Sequence, residues 1–152
     1  MQVAPDIGVL LPHDLPAIIA CMLLDAMVFP HPSVSFGTEV RRAGSRVWVL
    51  RECGEVRGFA SMRMRFREGY ITGIAIDPER QKRGLGGALL DTILRFSDEN
   101  RLQRIDLHVS AANPVALSLY RSRSFRQSKH VPRFYGPDED ALVMTKRFPQ
   151  ER

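Results

Sequence analysis

The sequence contains little cysteine and no cysteine pattern. Its two cysteines, Cys21 and Cys53, lie far apart, and neither belongs to a CxxC or His-x-His motif. This spacing argues against a disulfide framework and against a zinc site. We therefore expect two reduced, mostly buried thiols and no metal.

Long apolar runs are also missing. No segment approaches the roughly 18 uncharged residues that a membrane-spanning helix needs, which excludes a membrane-spanning protein. The first residues, Met1 to Asp6, lack the positively charged and apolar segments of a secretory signal peptide. The sequence thus predicts a cytoplasmic protein without membrane partners.

The remaining composition is typical of one globular unit. The chain has 152 residues, 44% of them hydrophobic, and it shows no repeats, low-complexity tracts or linker-like shifts in composition. We predict a single domain over residues 1–152. With 22 basic and 17 acidic side chains the net charge is +5, an excess that favours an anionic ligand such as a nucleotide phosphate, an acidic peptide or RNA.

The first half of the chain predicts a short strand, a helix and an antiparallel meander. Asp14 is suited to cap the helix, whose apolar stripe we expect to face a sheet. The members of that stripe are Ile18, Ile19, Met22, Leu23, Ala26 and Met27. The meander follows between Arg46 and Ile76, with a turn at Arg67. On its middle strand we expect an apolar face of Met62, Met64 and Phe66 and a solvated face of Arg63, Arg65 and Arg67.

The second half changes to helical periodicity and then alternates. A helix is predicted from Gly84, a strand from Ile105 to Val109, and a second helix with Asn113 as its cap and Pro114 at its first position. Two closing strands follow, Phe125 to Val131 and Ala141 to Thr145. This order of elements predicts an α/β fold with a mixed sheet.

The segment between the central strand and the next helix is rich in glycine. It reads Gln81-Lys82-Arg83-Gly84-Leu85-Gly86-Gly87. The free amides and the dipole of a helix N-terminus favour anions such as phosphate, yet the same glycines would also allow close packing of the helix on the sheet. A Walker A loop is excluded because Gly-Lys-Ser/Thr is missing, and the dinucleotide fingerprint fails because Leu89 occupies its third glycine position.

Two motifs resemble the GCN5-related N-acetyltransferase (GNAT) superfamily. Gln81-x-x-Gly84-x-Gly86 is similar to its coenzyme A pyrophosphate loop, and the stretch from Asn113 through Leu119-Tyr120 to Phe125 is similar to its second signature. The resemblance implies a single-domain GNAT fold, a central mixed sheet splayed between its fourth and fifth strands and flanked by helices, that binds acetyl-CoA. Ser124 departs from the glycine usual before this phenylalanine, at a position where the left-handed conformation favours glycine.

The resemblance also implies roles for individual residues. The expected coenzyme-binding residues are Ile74, Ala75, Ile76, Gln81, Lys82, Arg83, Gly84, Leu85, Gly86, Gly87, Asn113 and Tyr120. Tyr120 is the expected proton donor to the coenzyme A sulfur, although its ring would also suit the core. The central strand lacks the glutamate that many relatives use as the base, so His108, whose ordinary pKa is about 6.5, is the expected substitute, with Tyr70 or a water chain as the alternative.

The closing segment indicates the acceptor. Phe134-Tyr135-Gly136, followed by Glu139-Asp140-Ala141, resembles the hairpin that borders the peptide groove in protein N-terminal acetyltransferases, including the ribosomal-protein alanine enzyme. The resemblance implies that Tyr135 and Phe134 contact an acceptor, expected to be the N-terminal α-amine of a protein or peptide. An α-amine has a pKa of about 8 against about 10.4 for lysine, which suits a site without a strong base.

Two other functions remain open at this point. Small-molecule amines of low pKa satisfy the same argument. A basic RNA-binding or ribosome-associated module is a more remote possibility, motivated by the arginines between Arg121 and Arg126, although nucleic acid is the less expected partner. The assembly is expected to be a monomer or a homodimer.

Overall fold

The computed structural model describes residues 4–150, so Met1, Gln2 and Val3 of the predicted leaderless start lie outside it. The seven strands are β1 (Asp6–Val9), β2 (Ser45–Glu52), β3 (Glu55–Arg65), β4 (Glu68–Ile76), β5 (Arg104–Ser110), β6 (Arg126–Gly136) and β7 (Glu139–Arg147). The four α-helices are α1 (Leu15–Val28), α2 (Phe36–Glu39), α3 (Leu85–Glu99) and α4 (Pro114–Ser122). Among the described residues, no helix is long and apolar enough to cross a membrane.

One mixed sheet carries helices on both faces. Its strand order is β1-β2-β3-β4-β5-β7-β6, and only the β4–β5 pair is parallel. The helices α3 and α4 cover one face through a core that includes Leu89, Leu90 and Leu117. The helices α1 and α2 cover the other face, where Ile18 and Phe36 are buried. The predicted α/β fold with a mixed sheet is confirmed.

The sheet opens between β4 and β5. These strands pair only from Glu68 to Ile71 on β4 and from Arg104 to Leu107 on β5. Beyond Ile71 and Leu107 no described residue pairs across this gap. The expected splay between the fourth and fifth strands is therefore present, and it leaves the end of β4 open on the β5 side.

The orientation of α1 differs from the prediction. Asp14 caps the helix as expected, accepting a hydrogen bond from the Ala17 amide (3.2 Å), but of the predicted stripe only Ile18 is buried. The other five members, Ile19, Met22, Leu23, Ala26 and Met27, are exposed. Apolar residues occupy nearly every side of this helix, so periodicity could not fix its rotation. The buried side consists of Ala17, Ile18, Cys21, Leu24 and Asp25.

Two smaller expectations were also wrong. Phe66 does not join Met62 on the apolar face: it is 89% exposed, because the chain turns at Phe66 and Arg67. Arg63 is exposed as expected, and it also forms an ion pair with the buried carboxylate of Glu39 (2.8 Å). Cys21 is buried as expected, but Cys53 is exposed on the turn between β2 and β3.

Candidate active site

The loop before α3 presents free backbone amides at the end of β4. Gly84 is the N-cap of α3 and has a left-handed φ of 76°. The first backbone bond of this helix type runs from the Ala88 amide to the Gly84 carbonyl (3.0 Å). The amides of Leu85, Gly86 and Gly87 therefore have no acceptor within the helix. Together with the helix dipole they form a place suited to a phosphate.

The glycines of this loop differ in what a side chain at each position would meet. Gly84 has open space around it but a conformation that other residues rarely adopt. A Cβ on Gly87 would lie 2.7 Å from Arg123 Nη2, the far end of a flexible side chain that can move away. A Cβ on Gly86 would meet only ordinary contacts, the nearest being Leu119 at 3.7 Å. Close packing of α3 therefore does not strictly require glycine at either position.

The other predicted coenzyme residues surround the same opening. Gln81 donates a long hydrogen bond to the Ile76 carbonyl (3.4 Å), while the side chains of Lys82 and Arg83 are exposed beside it. Ile74 and Ile76 point towards the α3 and α4 side of the sheet, and Ala75 points to the other side. Asn113 stands at the start of α4, where its side-chain oxygen accepts from the Ala116 amide (3.1 Å).

Tyr120 lies on α4 and packs against the core on the α3 side. Its ring meets Phe125 edge to face, with centroids 5.7 Å apart. Burial of the hydroxyl, with a smaller contribution from Tyr135, raises the pKa of Tyr120 to about 12. The phenol therefore keeps its proton at neutral pH and can act as a proton donor, but not as a base. Nearby, Ser124 adopts the left-handed conformation (φ 69°) expected at a position where glycine is usual.

Tyr70 and His108 form a hydrogen-bonded pair on the α1 and α2 side of the sheet. The Tyr70 hydroxyl lies 2.7 Å from His108 Nδ1. Burial raises the pKa of Tyr70, although a hydrogen bond with the backbone of His108 opposes that shift. Burial, and then the positive charge of Lys129, lower the pKa of His108, while Asp106 acts in the opposite direction. The imidazole is therefore neutral at neutral pH and has one nitrogen able to take up a proton.

The β6–β7 hairpin brings two aromatic residues to this pair. The regular pairing of the hairpin is interrupted between Val131 and Gly136, and Phe134 and Tyr135 lie in the interruption. The Phe134 ring stacks on His108, with centroids 4.5 Å apart and planes at 14°. Tyr135 packs edge to face on Phe134 (4.9 Å). Of the two residues expected to contact an acceptor, Phe134 thus contacts the expected base directly and Tyr135 packs on Phe134.

A carboxylate near the turn of the hairpin holds this irregular segment. Asp140 accepts a hydrogen bond from the Arg133 amide (2.9 Å), and its other oxygen lies 2.7 Å from His130 Nε2. The hydrogen bond from the Arg133 amide and the contact with His130 lower the pKa of Asp140. Arg133 itself has a left-handed φ of 56°. These contacts fix the bend that directs Phe134 towards His108.

The pKa of Tyr135 is raised as well. Partial burial, followed by the charges of Tyr70 and Glu139, raises it to about 12. Tyr135 in turn contributes to the raised pKa of Tyr120. The three phenols, Tyr70, Tyr120 and Tyr135, therefore all keep their protons at neutral pH.

One contact near the gap was missed by sequence reasoning. Asp25 on α1 is 3% exposed, and its carboxylate accepts hydrogen bonds from the amide (2.9 Å) and the hydroxyl of Ser33. The Ser33 hydroxyl lies 3.1 Å from where a Cβ on Gly73 would stand. This bond therefore holds the loop between α1 and α2 against β4. An aspartate within an apolar helix was the only sequence signal.

The structure also bears on two other sequence hypotheses, which concern a metal site and an RNA-binding segment. Among residues 4–150, no group of three or more His, Cys, Asp or Glu side chains is arranged to hold a metal ion. In the basic segment considered for RNA, Phe125 is 2% exposed and Arg123 forms an ion pair with Asp91 (3.1 Å). That segment offers no exposed aromatic ring on which a base could stack.

Comparison with known proteins gives concordant results. The model of the acetyltransferase (GNAT) family matches residues 19–125. The [ribosomal protein bS18]-alanine N-acetyltransferase of Escherichia coli K12 is 32% identical over 99 residues, which are 62% of this chain and 66% of that enzyme. The chain thus spans just under two thirds of that relative's length. The N-alpha-acetyltransferase of Sulfolobus acidocaldarius is 28% identical over 127 residues, 75% of this chain and 76% of that protein.

Solved structures share the fold at lower identity. A crystal structure of the ribosomal-protein-S18-alanine N-acetyltransferase from E. coli superposes with a TM-score of 0.87 at 22% identity, covering 98% of this chain and 97% of that one. Arabidopsis thaliana NAA60, crystallised in complex with acetyl-CoA, gives a TM-score of 0.79 at 22% identity, covering 95% and 98%.

Proposed function

Since the chain belongs to the GNAT acetyltransferase family, we propose that it transfers the acetyl group of acetyl-CoA to the N-terminal α-amine of a protein or peptide. The observation that carries the proposal is the pair formed by Tyr70 and His108 (2.7 Å). It lies beside an opening in the sheet that has a protonated phenol, Tyr120, on its other side. A proton acceptor and a proton donor thus flank one gap, as amine acylation by a thioester requires.

The open end of the sheet fits the coenzyme. The free amides of Leu85, Gly86 and Gly87 would hold the pyrophosphate, and Lys82 and Arg83 would add positive charge. The backbone of Ile74 to Ile76, which has no partner on the β5 side, would pair with the pantetheine arm. When bound, acetyl-CoA supplies the activated acetyl thioester. An amide of Ile74 or Ala75 would donate a hydrogen bond to its carbonyl oxygen.

Proton removal is assigned to His108 through Tyr70. The neutral imidazole accepts the Tyr70 hydrogen at Nδ1, so the Tyr70 oxygen has lone pairs left for the amine or for a bridging water. As the Tyr70 oxygen gains the amine proton, its own proton passes to His108. The lowered pKa of His108 keeps it in the accepting form at neutral pH, and Phe134 covers one face of its ring.

Proton donation is assigned to Tyr120. Its raised pKa, about 12, means that the hydroxyl is fully protonated when the thiolate leaves. A phenol in a largely apolar setting gives up its proton only as negative charge develops next to it. Tyr120 and His108 lie on opposite sides of the gap, so the donor does not pass its proton directly to the acceptor.

The acceptor is assigned from the hairpin and from the weakness of the base. Phe134 and Tyr135 form an aromatic wall beside Tyr70 and His108, and Tyr135 is 40% exposed, so its edge is accessible to a bound chain. A neutral imidazole of lowered pKa cannot readily deprotonate a lysine, whereas roughly a tenth of α-amines are already neutral at pH 7. The relatives named for alanine and N-alpha acetylation support this choice. Cytoplasmic location and a monomeric or homodimeric assembly stay predictions.

A paired peptide assay tests the proposal. One peptide has a free N-terminus and no lysine; its partner has a blocked N-terminus and one lysine. We expect mass spectrometry to find acetylation of the first at a rate at least tenfold higher. Tyr135→Ala should raise the KM for the first peptide and leave acetyl-CoA affinity unchanged. Faster acetylation of lysine, or of a small amine when both peptides are inert, would contradict the assignment.

A further inference from the structure

A cavity adjoins the Tyr70 side of the candidate site. Its volume is about 460 Å³, and it opens on the sheet face that carries α1 and α2, between the end of α2 and the first halves of β4 and β5. The charged and aromatic residues of its lining are Arg42, Arg63, Arg65, Glu68, Tyr70 and Asp106. Because Tyr70 belongs both to this lining and to the pair with His108, a chain bound at the site can extend into the cavity.

Buried Glu39 fixes the arginines on the α2 side of the cavity. Its carboxylate, 1% exposed, binds Arg63 through Nε (2.8 Å) and Nη2 (2.9 Å). It also accepts the Ser45 hydroxyl (2.6 Å), and Arg42 lies 3.8 Å away. One carboxylate thus forms ion pairs with two guanidinium groups. Nη1 of Arg63 and most donors of Arg42 are left for a ligand.

Arg65 adds a third guanidinium without a carboxylate. Among the described residues, no acidic side chain lies within 4 Å of it, and its contact is with the ring of Phe66 (5.5 Å to the centroid). Phe66 holds a left-handed conformation (φ 57°), which is costly for a bulky residue. The Arg65 side chain therefore stands on a tight, strained turn at the rim of the cavity.

The acidic residues of the cavity already have partners. Arg104 binds Glu68 (3.0 Å) and Asp106 (2.9 Å). Asp106 also accepts a hydrogen bond from the Thr145 hydroxyl (2.6 Å). The acidic side chains of the cavity are thus paired, whereas several guanidinium donors have no protein acceptor, an arrangement that favours a negatively charged ligand.

We propose that this cavity binds a carboxylate of the acceptor peptide, an aspartate or glutamate side chain that follows the acetylated residue within the first few positions. Guanidinium groups recognise carboxylates with paired, charge-assisted hydrogen bonds. Arg65 supplies the free charge and Arg42 and Arg63 the fixed donors. This selectivity rests on the proposed transfer to N-terminal amines, and it adds a sequence preference beyond the first residue.

Matched peptides test the cavity with the full chain. Three pairs of free-amine peptides differ only by glutamate against glutamine at position 2, 3 or 4. For at least one pair we expect kcat/KM to be about fivefold or more higher with glutamate, through KM, and this preference should shrink with rising salt. Arg65→Gln should remove the preference while leaving the glutamine peptide unchanged, and Arg65→Lys should retain part of it. Arg95→Gln, on the exposed side of α3, is the matched charge control.

The outcomes separate this inference from the proposed function. If wild-type protein acetylates the glutamate and glutamine peptides equally at all three positions, the cavity assignment is overturned and the proposed function is kept. A preference that survives Arg65→Gln, or that Arg95→Gln removes equally, also overturns it. If none of these peptides is acetylated while a small amine is, the proposed function fails and the acceptor assignment of the cavity fails with it.

Discussion

The Tyr70 hydroxyl and His108 Nδ1 lie 2.7 Å apart where the pairing of β4 with β5 ends, with Tyr70 opposite Asp106 and His108 one residue beyond the last pair. The two side chains share the sheet face on which the β6–β7 hairpin places Phe134. Burial raises the pKa of Tyr70 and lowers that of His108, so the phenol is protonated and the imidazole is neutral at neutral pH. In the proposed mechanism this pair takes a proton from the amine.

The lowered pKa of His108 predicts the acidic limb of the pH–rate profile. Below about pH 8 the rate should decrease with the neutral fraction of the α-amine. It should decrease more steeply once the pH drops through the pKa of His108, which lies below the ordinary value of 6.5. In His108→Gln this steeper decrease should disappear and turnover should fall on the order of 10²-fold. Steady-state rates between pH 5 and 8, with stability checked across that range, measure it. A wild-type limb in the variant would exclude His108 as the titrating base.

Tyr120→Phe tests the proton donor. The substitution retains the ring and its contact with Phe125, so the fold and coenzyme affinity should persist. Turnover should decrease on the order of 10²-fold. Because the pKa of Tyr120 is about 12, no loss of this donor is expected in the wild type up to about pH 10. Calorimetry with coenzyme A and single-turnover rates provide the two readouts. Normal single-turnover chemistry in the folded variant would refute the role.

Gly86 allows the phosphate assignment to be tested without repacking. A Cβ there meets only ordinary contacts, so Gly86→Ala should bind coenzyme A nearly as the wild type does. Gly86→Glu should abolish binding, because it adds a carboxylate among the amides that would receive the pyrophosphate. Circular dichroism establishes folding and calorimetry the affinity. Equal affinity of the two folded variants would rule out this loop as the anion site.

Asp25→Asn tests the contact between α1 and the following loop. The amide side chain has one fewer acceptor for Ser33, so the loop should loosen and unfolding stability should fall by about 1–3 kcal/mol. Peptide KM should rise severalfold, whereas coenzyme A affinity, which depends on the other side of the gap, should stay constant. Ser33→Ala keeps the hydrogen bond from the backbone amide and loses the one from the hydroxyl. It should therefore lower the unfolding stability and raise the peptide KM by smaller amounts. Equal effects on peptide and coenzyme would show a general loss of structure instead.

Local signals allowed much of the fold to be predicted. Asp14 and Asn113 cap helices because each is a short acceptor directly before an apolar repeat, and both do so here. The splay followed from the resemblance and not from periodicity. Helix α1, by contrast, is apolar on nearly all sides, so its rotation depends on which small residues, such as Ala17 and Cys21, fit the sheet. That choice is made by tertiary packing.

The candidate site was predictable in its residue types but not in its contacts. Alternation along β5 puts Asp106 and His108 on one face, and the sequence therefore contained the electrostatic neighbour of His108. The stacking of Phe134 on His108 depends on an interruption in the hairpin pairing that Arg133 and Asp140 create across seven residues. The hydrogen bond from Ser33 to Asp25 joins a loop to a helix across eight residues of sequence. Contacts of this kind depend on backbone bends that no single-residue preference encodes.

The outward face of α1 carries exposed methionines, which should oxidise before the buried ones. Met22 and Met27 are 54% and 64% exposed, whereas Met62 and Met144 are fully buried. A mild oxidant will therefore form sulfoxides on the helix long before it reaches the core. Each sulfoxide replaces an apolar surface group with a polar one. During storage the exposed face of α1 should therefore become more hydrophilic while the packing of the core stays unchanged. Storage under reducing conditions preserves this face, and the order of methionine oxidation records which side of the helix meets solvent.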